Sequence, residues 1–157
     1  MKKYLLAIIF SVVFVFTFLN PTLCASAIHI PGNDSKDVIY FPDGSYIITE
    51  IHEESTSFYT LEARQTKRGN KVRTAYSKDG EKLGSLTVYG TFTYNGTTAT
   101  AESASYSHTV DASGWSFSGG SSYCSGATAT ASGTFKCLFE SKTLTVSLRC
   151  SASGVLS

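Results

Sequence analysis

The residues of this 157-residue chain with the capacity for chemistry are three histidines, four cysteines and one compact run of basic side chains. His29, His52 and His108 stand far apart, none at metal-ligand spacing to another histidine or to a cysteine pair, which argues against a zinc site. A hydrolytic triad would need His52 or His108 brought by the fold to a serine and to a carboxylate such as Glu50 or Asp111. No Gly-x-Ser-x-Gly elbow frames any serine, so an enzyme is the weakest reading and no catalytic, metal or cofactor residue is assigned. Asp43-Gly44 and Asp79-Gly80 lack the spaced oxygen ligands of a calcium loop and read as turns.

The basic run spans Glu62 to Lys82. Arg64, Lys67, Arg68, Lys71 and Arg73 form a candidate patch for an anionic ligand, because clustered Lys and Arg release counterions when they bind a polyanion. The plainer reading is a solvated hairpin or sheet edge, where lysines discourage edge-to-edge pairing. Nine tyrosines and Trp115 offer stacking platforms for sugars, although tyrosine is also a favoured strand residue.

These side chains must be positioned by an exported domain. Residues 1–27 read as a secretory signal peptide: Lys2 and Lys3 supply the positive start, Tyr4 to Leu19 is apolar but for Ser11 and Thr17, and Ala25-Ser26-Ala27 is the cleavage signal. The apolar run is slightly short for a spanning helix and Asn20-Pro21 breaks it, so membrane contact is expected only through the uncleaved peptide. Cleavage after Ala27 leaves 130 residues, enough for one core, and 11 basic against 12 acidic residues, a net charge of −1 that argues against nucleic acid as partner. It also removes Cys24. Cys124, Cys137 and Cys150 remain at equal spacings of thirteen, and at most one bridge among them is possible.

Residues 28–36 read as an extended N-terminal lead and 37–157 as a single all-β domain, since Thr, Ser, Tyr, Val, Ile and Phe alternate in short runs between Gly, Asn and Asp turns. Pro42-Asp43-Gly44-Ser45 and Ser77 to Glu81 predict two hairpin turns. Asn95-Gly96 predicts a two-residue type I′ turn that pairs Phe92 with Ala99 and Gly90 with Ala101. A loop over Glu140 to Thr143 would place Cys137 opposite Val146 and Cys150 opposite Gly133. On that register the two thiols lie about 13 Å apart and all three are buried or half-buried and free. A turn at Ser125-Gly126 brings Trp115 and Phe117 to the face of Ala127 and Ala129 only if Gly119-Gly120 forms a bulge.

The phrases Val38 to Ile47, with Pro42-Asp43-Gly44-Ser45 at its centre, Gly90 to Thr97, and Leu148-Arg149-Cys150 followed by Gly154-Val155-Leu156-Ser157 resemble a group of small secreted proteins of unknown function from Gram-positive anaerobic bacteria. Ser151-Ala152-Ser153 departs from that pattern, in which the turn before the final Gly is more charged. The resemblance implies a bacterial, exported, all-β protein and brings no catalytic residues with it.

The expected architecture is an antiparallel β-sandwich or partly closed barrel of seven to nine strands after a signal-peptide helix. Its core is expected to hold Leu86, Val88, Phe92, Phe135, Phe139, Leu144, Val146 and Leu148, with Trp115 near one end. The expected role is a non-enzymatic, secreted or cell-surface-associated binding module for a cell-wall polymer, glycan or protein ligand, with a bacteriocin-like antagonist as the alternative. If the basic run holds an anionic polymer, neutralising Lys67, Arg68, Lys71 and Arg73 together abolishes salt-sensitive retention on purified wall polymer, and unchanged retention would sink that version.

Overall fold

The computed structural model describes residues 27–29, 36–54, 64–138 and 140–157. They form two antiparallel sheets and contain no helix. The larger sheet runs in chain order through β1 (Ala27–His29), β2 (Asp37–Tyr40), β3 (Tyr46–Glu54), β4 (Gln65–Tyr76), β5 (Lys82–Tyr94) and β6 (Ala99–Val110). The smaller is β7 (Ser116–Ser125), β8 (Thr128–Cys137) and β9 (Glu140–Arg149). The expected signal-peptide helix and the rest of the N-terminal lead fall outside the described residues, as does Phe139.

Consecutive strands within each sheet pair antiparallel, the chain crosses between the sheets from β6 to β7, and turn chemistry explains where the described turns fall. Phe41 and Ser45 close the first turn, with Gly44 at φ 84°, and Ser77 and Glu81 close the second, with Gly80 at φ 80°. The Asn95-Gly96 turn is a correction. Only Gly96 has positive φ, so the type I′ geometry is absent. Asn95 Oδ1 instead accepts from the Thr97 and Thr98 amides at 3.0 and 2.8 Å, building a four-residue loop that pairs Tyr94 with Ala99 and Phe92 with Ala101. A bulge at Glu102 then shifts the register, so that Gly90 meets Ala104.

The β8–β9 pairing also departs from the sequence pattern, by six residues. Cys137 pairs with Glu140 and Gly133 with Leu144, with Leu138 in the turn. Cys137 and Cys150 therefore sit at opposite ends of the hairpin. All three described thiols are free, but Cys124 is exposed, because its edge strand extends past the cover of the other sheet. The Gly119 bulge does form, at φ 141°, and it returns Phe117 to the inner face beside Phe135.

The sheets pack by setting the large residues of β5 against two alanines flanked by large residues of the other sheet. Leu86, Val88 and Phe92 of β5 are fully buried, facing Ala129, Ala131 and Phe135 of β8 and Leu144, Val146 and Leu148 of β9. The outer faces are ladders of short hydroxyl side chains, with Thr130–Ser147 at 3.0 Å and Thr134–Thr143 at 3.0 Å across β8 and β9. Phe92→Ala should destabilise the protein by about 3–5 kcal/mol, read from the urea midpoint, because the alanines facing it cannot collapse into the void.

Candidate functional site

Three strands cannot cover six. The small sheet lies over β5, β6 and part of β4, and among the described residues the inner face of β3 and the adjoining side of β4 continue past the edge of β9 as a shelf. Where the shelf meets the turns at one end of the molecule there is a cleft of about 520 Å³. Its floor is Ile47 and Ala75, paired across β3 and β4; its walls are Phe41, Tyr46, Trp115, Phe135 and Leu144; Asp43, Ser45 and Lys142 are its polar members. The Ser45 hydroxyl and amide both donate to the Asp43 carboxylate, holding its pKa below the ordinary value. Sequence reasoning placed Trp115 near one end and missed the cleft, because its lining comes from six separated segments.

Beyond the cleft the shelf turns polar. Thr49 and Arg73 are the next inward-facing pair after Ile47 and Ala75, and Ile51 and Lys71 the pair after that. Arg73 Nη1 donates to the Thr145 carbonyl on β9 at 2.5 Å. Its Nε and the Thr49 hydroxyl oxygen are buried without a hydrogen-bond partner among the described residues. Burial lowers the pKa of Lys71, with the charge of Arg73 adding to the effect and Asp37 opposing it; burial lowers that of Arg73 too. Two half-buried cations and two buried, orphaned polar atoms thus lie in adjacent rows of the shelf.

The five basic residues singled out in the sequence do not form one surface. β4 is an interior strand between β3 and β5, so the reading of this run as an exposed hairpin or edge is wrong, and strand alternation divides its charges. Lys67, Lys71 and Arg73 share the inner-face register with Phe92, Val88 and Leu86, while Arg68 pairs with Thr91 on the outer face. Arg64 precedes the strand and binds Glu102 at 2.6 Å; Lys67 binds Glu53 at 2.6 Å. The hydrophobic partners across the ladder, not the basic composition, were the available signal that β4 lies inside the sheet.

The remaining candidates are engaged elsewhere. His108 stacks on Phe117 with ring centroids 3.6 Å apart, Asp111 accepts from Thr109 at 2.7 Å and pairs with Lys82 at 3.2 Å, and Glu50 pairs with Lys36 at 2.7 Å. Among the described residues no three His, Cys, Asp or Glu side chains converge as metal ligands. Tyr46 and Tyr76 stack on each other at 4.9 Å, with Tyr40 5.5 Å from Tyr46, so cross-strand pairing occupies ring faces that a sugar platform would need free.

The fold and the site together define an all-β protein of two unequal antiparallel sheets with an apolar cleft opening onto a cationic shelf. No family model, curated protein or solved structure matches the chain. The orphaned Thr49 hydroxyl gives a direct check on the shelf: Thr49→Val keeps the shape and removes the unpaired oxygen, so the urea midpoint should rise by an equivalent of about 1–2 kcal/mol. A fall instead would show that the hydroxyl is satisfied.

Proposed function

We propose that this chain is the precursor of a secreted or loosely wall-associated binding module of the β-sandwich type, non-enzymatic, exported by residues 1–27 and released by cleavage at Ala25-Ser26-Ala27. Its ligand is a cell-wall polymer, glycan or protein, and it is held at the cleft. The observation that carries this reading is the cleft itself: about 520 Å³, lined mainly by aromatic and aliphatic side chains, with a few polar groups converging on it. That size and composition suit the burial of an apolar or aromatic group of a ligand.

The contacts of the candidate residues support the non-enzymatic reading, since His108 is covered on one face by Phe117 and Asp111 is tied to Thr109 and Lys82. Recognition of an anionic polymer, if it occurs, is divided: Lys71 and Arg73 act on the shelf, while Arg68 on the opposite face contributes only long-range attraction.

The test is retention of the processed protein on whole cells. Trp115→Ala should weaken retention roughly tenfold, because a buried aromatic anchor at a binding site contributes more than about 1.4 kcal/mol. Retention unchanged by Trp115→Ala would sink the cleft as the binding site, and killing of neighbouring strains by the purified protein would move it to the antagonist class.

A further inference from the structure

The free edge of β9 already carries a strand at one end. The chain turns at Ser151 to Val155, and Ser157 then exchanges both backbone hydrogen bonds with Arg149 at 2.9 Å, with Leu156 opposite Cys150. Leu156 is buried and packs directly on Gly69, where an added Cβ would clash with its Cδ1. The chain thus lays its own extended segment along β9, in the plane of the small sheet and over the shelf, with one side chain pointing down onto β4.

Alternation fixes what comes next along that edge. Arg149 directs its N–H and C=O away from β8, so Ser147, Thr145 and Thr143 do the same, and the Thr145 carbonyl is the one that Arg73 reaches. These groups lie beside the shelf rows of Lys71, then Arg73 with Thr49, then Ala75 with Ile47, each about 6.7 Å from the last. Leu156 occupies the Gly69 row, the one before them.

From this we infer that the stretch Thr143 to Ser147 is a docking edge for an extended polypeptide partner, which adds a strand to the small sheet. This rests on the binding-module reading and names its ligand class. The partner's backbone pairs with the outward N–H and C=O groups of β9, replacing the Arg73 guanidinium at Thr145 and freeing it. An acidic side chain points down between Lys71 and Arg73, two half-buried cations that Asp37, paired with Thr49, offsets in part, and supplies a partner for the orphaned Arg73 Nε. Two residues further on, a large apolar side chain enters the cleft over Ile47 and Ala75. A glycan offers no backbone donors and acceptors at strand spacing, and the chain's own pairing on the same edge shows what chemistry fits it.

Selection of a displayed twelve-residue peptide library against the processed protein tests this. Enriched sequences should alternate β-forming residues and carry Asp or Glu two positions from a large apolar residue. Thr145→Pro removes an outward amide and breaks no backbone bond to β8, losing there only the exposed Ser132–Thr145 hydroxyl contact of 3.3 Å, so it should weaken a synthetic selected peptide by roughly tenfold or more with the melting temperature nearly retained. Lys71→Gln should erase the preference for that peptide over its Asp→Asn or Glu→Gln form, and the peptide should slow hydrogen exchange at the Thr145 and Ser147 amides of the unaltered protein. No enrichment, enrichment of basic peptides, equal binding by Thr145→Pro, or unprotected amides would each overturn the assignment. A dimer that Thr145→Pro dissolves would give the edge to a second copy and overturn it as well. Loss of cell retention in Trp115→Ala with no effect of Thr145→Pro would leave the cleft reading standing and remove the edge.

Discussion

The packing of β5 against β8 is the contact on which the rest of the molecule depends. Leu86, Val88 and Phe92 are wholly buried because the residues facing them on the other sheet include Ala129 and Ala131, also wholly buried, whose small side chains let the layers close. Large against small is a steric solution that fixes the separation of the sheets and therefore their lateral offset. Once β5 is seated over the centre of the small sheet, β6 lies against β7, and the Tyr106, Phe117 and Phe135 rings fill that side.

The other side follows from arithmetic of width. A six-stranded layer centred through β5 on a three-stranded one must leave inner face uncovered, and here the uncovered part belongs to β3 and β4. The protein handles the exposed edge of β9 with two devices: its own C-terminal residues pair with Arg149, and the Arg73 guanidinium takes the Thr145 carbonyl. The second device holds a charge at a half-buried site and leaves Arg73 Nε and the Thr49 hydroxyl unsatisfied. Buried polar groups without partners oppose folding, so this pair lowers local stability beside the cleft.

The hairpins at Pro42-Asp43-Gly44-Ser45 and Ser77 to Glu81 were legible because their turn residues leave few alternatives, and the bulge at Gly119 was legible because without it Phe117 would face water. The register after Asn95 was not. The Asx geometry that Asn95 adopts competes with the type I′ turn for the same dipeptide, and the Gly96 amide is committed to the Ala152 carbonyl, a contact from a segment more than fifty residues away. The turn between β8 and β9 is of the same kind: period-2 alternation survives a six-residue slip unchanged, so the pattern alone could not distinguish the two pairings.

By itself, the sequence determined the all-β class, most of the strand boundaries and the inward faces of β5, β8 and β9, because alternation and turn chemistry are local properties that each segment carries with it. Only the tertiary structure decided that the basic run is an interior strand, that its charges divide between two faces, and that six distant segments converge on one cleft. Those outcomes depend on which strands lie side by side and how far one sheet overhangs the other. Both are set by the fit of whole faces across the core, a quantity that no single segment contains.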